Sequence, residues 1–190
     1  MTTTPSSRPP LRSLDDALAE LLAHAAPLDG ADTVSTFDAD GRVLAADVVS
    51  GLQVPPEDNS SMDGYAVRSA ELSGTGVALR VSQRIPAGSS GSALEPGTVA
   101  RIFTGAPIPA GADAVVMQED CEPVADREGF VHVQQLPQPG QWIRRAGEDV
   151  TRGATVLSKG ERLTPAALGL AASVGFDRLQ VARRPRVALL

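Results

Sequence analysis

Three short stretches concentrate the residues that could do chemistry. Asp58-Asn59-Ser60-Ser61-Met62-Asp63-Gly64-Tyr65 places two carboxylates, two hydroxyls and an amide within eight residues. Its Asn, Ser and Asp side chains compete with helical backbone bonding, and Gly64 marks a bend or a close backbone approach, so it reads as a tight polar loop. The second stretch, Arg101 to Asp113, leaves an alternating apolar run for a loop stiffened by Pro107 and Pro109, which puts Thr104 at a strand end facing a possible cleft. In the third, Ile143 to Asp149, two guanidinium groups (Arg144, Arg145) stand beside Glu148 and Asp149 around Gly147. Singly, each has an ordinary reading: an Asx turn, a rigid turn, a surface ion-pair cluster of small energetic consequence.

No Ser/His/Asp-type arrangement, Gly-rich phosphate loop or His/Cys metal spacing stands beside them. Asp58, Asp63, Glu148 and Asp149 remain, with Ser60, Ser61 and Thr104. Carboxylates facing an anionic substrate would repel it unless a cation lay between them. Oxygen donors without imidazole or thiolate suit Mg²⁺, which one or two carboxylates commonly hold together with substrate phosphates. His24 reads as a surface or packing residue, His132 as a hydrogen-bonded strand histidine and Cys121 as an inert small side chain.

The elements that must position these stretches lie in a chain of 190 residues, enough for one large domain or two small ones. A net charge of −6 and 3% aromatic residues argue against nucleic-acid binding. One cysteine excludes an intrachain disulfide and fits a reducing cytosol. No apolar run reaches membrane-spanning length, and residues 1–10, rich in Thr, Ser and Pro, read as a disordered leader.

Ser13 with Asp16 suggests a capping box, opening a helix that carries Leu14, Leu18, Leu21, Leu22 and Ala25 on one face and stops at Pro27, Asp29 and Gly30. Alternating runs at 77–81 and 99–103, an apolar run at 114–117 that reads as buried, and a strand candidate at 130–133, punctuated by Gly and Pro, predict a β-rich lobe without βαβ units. Ser89-Ser90-Gly91-Ser92 is expected to be an exposed, flexible turn. Thr164-Pro165 predicts the start of a second helix ending at Gly175, then a strand over 178–181. Arg183, Arg184 and Arg186 read as solvated surface, and Val187 to Leu190 as the opening of a buried parallel strand.

Taken in order, these segments resemble the molybdopterin molybdenumtransferases, the MoeA and gephyrin E-domain family. The resemblance is carried by 54–68, Arg101 to Pro107, 114–119, Ile143 to Asp149 and 168–175, and covers roughly 11–190. It implies an α+β, elongated, multidomain homodimer. Residues 11–52 with 146–190 would form a discontinuous dimerisation region, and 53–145 an inserted β-rich lobe. It further implies a cytoplasmic enzyme that transfers molybdenum from molybdate to adenylylated molybdopterin, releases AMP with Mg²⁺ assisting, and follows a molybdopterin-adenylating partner; neither nucleic acid nor membrane is involved. Asp63, Thr104 and Asp149 would be the cleft residues, Asp63 and Asp149 the metal carboxylates. Asp58, Ser60, Ser61, Arg144 and Glu148 would contact substrate.

Ser61 stands where many members carry alanine, a small change. The family's following α/β domain would lie beyond Leu190, so residues 1–190 alone are expected to be catalytically incompetent. The alternative from a different class is a non-catalytic dimerisation or scaffold module of the gephyrin kind. A generic Mg²⁺-dependent phosphohydrolase ranks behind both.

Overall fold

The computed structural model describes residues 11–26 and 28–188. The leader at 1–10, Pro27 as a helix stop, and Leu189 and Leu190 lie outside the described residues. Local side-chain chemistry starts both helices. Helix α1 (Leu14–Ala23) opens at Ser13, whose hydroxyl accepts the Asp16 N–H at 3.1 Å and donates to the Asp16 carboxylate at 2.7 Å. The first bond is half of the box read from the sequence; the Asp16 carboxylate meets the Ser13 hydroxyl where a full box would have it meet the Ser13 N–H. The packing is different from that of an ordinary amphipathic helix: no residue of α1 is buried, and Leu14, Leu18, Leu21 and Leu22 are exposed. Helix α2 (Pro165–Ser173) opens at Thr164, which accepts the Ala167 N–H at 3.3 Å, with Pro165 at the first helical position. Gly175, at φ +92°, ends it in the left-handed region that a side chain disfavours.

The strands are β1 (Ala31–Ser35), β2 (Val48–Val49), β3 (Asn59–Ser60), β4 (Gly64–Val67), β5 (Ala78–Ile85), β6 (Thr98–Ile102), β7 (Ala114–Met117), β8 (Cys121–Pro123), β9 (Phe130–Val133), β10 (Ile143–Arg144), β11 (Thr155–Leu157) and β12 (Arg178–Ala182). Early and late segments pair with each other. Strands β1 and β12 run antiparallel with Val34 opposite Leu179, and β2 pairs with β11. Leu44, Val48, Leu157, Leu163, Ala171 and Val181 from these segments share one apolar core.

The middle of the chain forms a six-stranded sheet in the order β7-β4-β6-β5-β9-β8. Strand alternation sends neighbours to opposite faces. Val67, Val99, Val116 and Val131 pack on one side, while Ala66, Ala100, Val115 and Ile102 pack on the other. Burial on both faces explains the uninterrupted apolar run of β7, Ala114–Met117. Strands β5 and β6 are parallel, although no helix lies between them. Residues 86–97 make the return as an irregular crossover, a span of about a dozen residues and long enough for a parallel connection.

That crossover holds the Ser89–Ser92 turn. It is largely exposed, as expected, but tied down: the Gln83 amide donates to the Ser92 carbonyl at 2.8 Å and accepts the Ser92 N–H at 2.9 Å. His132 places Nδ1 2.7 Å from the Gly76 carbonyl oxygen. Cys121 is buried, and burial pushes its thiol up to about 12. The strand expected from Val187 does not open at Val187 or Ala188; Val187 is exposed and has no neighbouring strand among the described residues. No described helix is long and apolar enough to cross a membrane.

Candidate functional site

The bend from Asp58 to Gly64 lies between the two other polar stretches. On one side Ser60 donates its N–H to the Ala106 carbonyl at 2.9 Å, and Ser60 in turn accepts the Gly105 N–H at 2.8 Å. The Ile108 N–H reaches the Asp58 carbonyl at 2.9 Å. On the other side β3 pairs with β10, setting Ser60 opposite Ile143 and Asn59 opposite Arg144, and the Ser61 N–H reaches the Trp142 carbonyl at 3.0 Å. Three segments far apart in sequence thus share one region through backbone bonds alone.

Gly64 shows why the middle bend needs glycine. A Cβ there would stand 2.0 Å from the Val116 carbonyl oxygen, so β4 can approach β7 only without a side chain. The approach fixes where the preceding residue, Asp63, begins. Its Oδ1 accepts both the Thr104 N–H at 2.8 Å and the Thr104 hydroxyl at 2.7 Å. The backbone bond, then the hydroxyl, with help from the nearby Arg101 charge, hold the Asp63 carboxyl below its ordinary range.

At the other end of the bend, Asp58 accepts the Ala146 N–H at 2.8 Å on Oδ1 and an Arg145 N–H at 2.6 Å on Oδ2. The Ala146 bond first, and then Arg145, outweigh partial burial and hold the Asp58 carboxyl below the usual value. The turn that follows β10 is closed internally. Arg144 lies 2.6 Å from both carboxylate oxygens of Asp149 and 3.6 Å from Glu148, and Glu148 accepts the Arg145 N–H at 3.0 Å. Asp149, foremost, raises the Arg144 pKa. Backbone bonds from Gly147 to Pro55 and from Asp149 to Val54, both 2.9 Å, fasten the turn to the segment before the bend.

The residues singled out from the sequence therefore fall into three linked groups. Asp63 and Thr104 are joined directly, as are Arg144, Glu148 and Asp149; Asp58 bridges to the third stretch through Arg145 and Ala146. Asp63 and Asp149 have no hydrogen-bond partner in common. Ser60 is buried, at 1% exposure, and its hydroxyl is engaged with the carbonyl and N–H of Met62, so it shapes the loop. Ser61 is half-buried beside it, whereas Thr104, Arg145, Glu148 and Asp149 are exposed. The result is an open face, not a closed cavity.

The donor set bears on Mg²⁺. Both Thr104 bonds fall on Oδ1 of Asp63, leaving Oδ2 with no protein donor among the described residues. One free hard oxygen fits an ion that takes its remaining ligands from water and phosphate. Asp149 fits less directly, because Arg144 already occupies both of its oxygens. No group of three or more His, Cys, Asp or Glu side chains is gathered for a metal among the described residues.

Sequence reasoning passed over Arg145 and Arg101. Arg101 donates to the Gly64 carbonyl at 2.8 Å and to Gln118 at 2.6 Å, bracing the same bend. Trp142, the only non-glycine residue with a positive φ (58°) among the described residues, supplies the carbonyl that receives Ser61. Arg101 and Arg145 stand inside two of the polar stretches, which gave no sign of the partners they meet, and nothing local marks Trp142.

A family model described as "MoeA N-terminal region (domain I and II)" matches residues 12–175. The chain belongs to this family. Among MoeA-type relatives, "Molybdopterin molybdenumtransferase 2" of Mycobacterium tuberculosis is 44% identical over 178 residues, covering 91% of this chain and 42% of the relative. The "Molybdopterin molybdenumtransferase" of Haemophilus influenzae is 38% identical over 179 residues, covering 94% and 44%. The crystal structure of the molybdopterin biosynthesis moeA protein from Pyrococcus horikoshii OT3 superposes with a TM-score of 0.83 at 32% identity, covering 90% of this chain and 46% of that one. The chain thus spans less than half the length of these MoeA-type proteins.

Proposed function

We propose that this chain carries the N-terminal region of a molybdenum-inserting enzyme of molybdenum cofactor biosynthesis, one that moves molybdenum from molybdate to adenylylated molybdopterin and releases AMP. The observation that supports this most is the Asp63–Thr104 pair, set on a face shared by all three polar bends in a chain similar to proteins named molybdopterin molybdenumtransferase. Thr104 fixes the direction of Asp63 and keeps it ionised. Oδ2 of Asp63 would hold Mg²⁺, with Asp149 a second carboxylate once Arg144 turns toward substrate. Such an ion supplies charge neutralisation on the phosphates and polarisation of the phosphoanhydride. Asp58 and Arg145 keep the third bend in place, and Ser61 and Glu148 line the approach.

An exposed face cannot exclude water by itself, so the reading includes a second surface that closes over it. On this reading residues 1–190 alone do not turn over. Residues 53–145 form a lobe inserted into a dimerisation region of 11–52 and 146–190, and the exposed leucine stripe of α1 supports a homodimer; a cytoplasmic setting and a molybdopterin-adenylating supplier belong to the same reading. The same stripe favours, as a second reading, a scaffold module without turnover. A chimaera joining this chain to the C-terminal part of the Mycobacterium tuberculosis relative separates the two. Molybdate-dependent AMP release is expected; a folded, dimeric chimaera that releases none would leave the scaffold reading standing.

A further inference from the structure

Beside the Asp63–Thr104 pair lies a cationic surface that no salt bridge closes among the described residues. In the parallel pairing of β5 with β6, Arg84 stands opposite Arg101, while their neighbours Ile85 and Ile102 are buried in the core. Both guanidinium groups lean on the ring of Phe103, with their carbons 4.6 Å (Arg84) and 4.5 Å (Arg101) from its centre. Phe103 immediately precedes Thr104. Arg101 also lies 5.3 Å from the centre of the Tyr65 ring, its partner across β4.

Neither arginine forms an ion pair within 4.0 Å among the described residues. Of the acids around this surface, Asp63 feels the Arg101 charge without pairing with it and spends Oδ1 on Thr104, and Glu119 accepts from Gln118. Like charges set side by side on neighbouring strands oppose folding unless something neutral or negative comes between them. In a chain with a net charge of −6, carboxylates to neutralise the pair are plentiful. Arg101 spends donors on the Gly64 and Ile102 carbonyls and on Gln118, which fixes its orientation. The Arg84 guanidinium makes no hydrogen bond to protein among the described residues, and Arg84 is exposed.

We propose that Arg84 and Arg101, set against Phe103, form a binding site for the phosphate of an organic phosphomonoester, placed so that the ester lies alongside Asp63 and Thr104. One fixed and one free guanidinium can offer a dianion paired N–H donors, and the ring beneath them orients their planes. The assignment rests on the reading above in one respect only: it makes this the seat of the nucleotide phosphate, the end of the substrate released as AMP.

Calorimetric titration of this chain with AMP, with inorganic phosphate and with adenosine tests it. AMP should bind, phosphate should compete, adenosine should not, and added salt should weaken the binding. Arg84→Glu should weaken AMP binding by about tenfold or more, and Arg84→Lys by less, because charge survives while the fork is lost. Arg84 is exposed, so an unchanged circular dichroism spectrum is expected for both variants. Binding unaffected by Arg84→Glu, or no binding of AMP or phosphate to the parent chain, would overturn the site. If AMP binds through Arg84 but the chimaera described above inserts no molybdenum, the phosphate site stands and the molybdenum reading fails.

Discussion

Thr104 grips a single oxygen of Asp63 twice, through its backbone N–H at 2.8 Å and its hydroxyl at 2.7 Å. The two residues stand 41 positions apart in sequence, yet the grip settles both the direction of the carboxylate and which of its oxygens stays available. Removing the hydroxyl with Thr104→Val leaves the backbone donor in place. The Asp63 carboxyl should then move up toward the ordinary aspartate value, because one of the bonds favouring the ionised form is lost. Carbon-detected NMR titration of Asp63 reads this directly. An unmoved titration would mean that the hydroxyl plays no electrostatic part.

Acid sensitivity follows from the same sign. Asp58, Asp63, Glu71 and Asp113 all have folded-state carboxyls lowered from their ordinary values. A lowered carboxyl stabilises the fold above the unfolded value, and that contribution is lost as pH falls through the folded one. Stability should hold from neutrality down to about pH 4 and fall below it. Asp58→Asn should flatten the acid limb and cost about 1 kcal/mol at neutral pH, as the Arg145 and Ala146 contacts weaken. Urea denaturation across pH checks both, and hydrogen exchange at the Ala146 amide should quicken in the variant.

The close approach at Gly64 gives a packing test. Gly64→Ala would drive a methyl into the Val116 carbonyl, and β4, paired on both sides by β7 and β6, has little room to shift. A loss of about 3 kcal/mol or more, or failure to fold, is expected. Gly74→Ala, where a Cβ meets nothing within 4 Å, serves as the tolerant control.

Local chemistry was legible in the sequence, and distant pairing was not. Ser13 with Asp16, Thr164 with Pro165, and Gly175 each act within one helical turn, so residue type alone announced them. The apolar run at Ala114–Met117 and the Val–His–Val pattern within Phe130–Val133 likewise marked strands. Nothing local could say that Ser60 would face Ile143 or that β5 would run parallel to β6, because register is set by a core assembled from many segments. The candidate residues were readable as types, but their partners were not. Asp58 meets Arg145 across the fold, and Arg144 holds Asp149, a carboxylate the sequence offered to a metal. Ser60 was expected to face substrate, whereas its hydroxyl turns to its own loop.

The leucines of α1 supply a test of assembly. Leu18→Asp with Leu22→Asp alters two exposed positions, so thermal stability of the folded unit should change little. Sedimentation should shift from dimer toward monomer. A dimer that persists would assign the interface to another surface.

Molybdate-dependent AMP release by the chimaera, compared between the parent and Asp63→Asn, tests the central claim most directly. The isosteric amide retains the shape of the carboxylate but loses its charge, and release should fall by about two orders of magnitude while phosphate binding at Arg84 persists. Release within a factor of about two of the parent would contradict a catalytic role for this carboxylate.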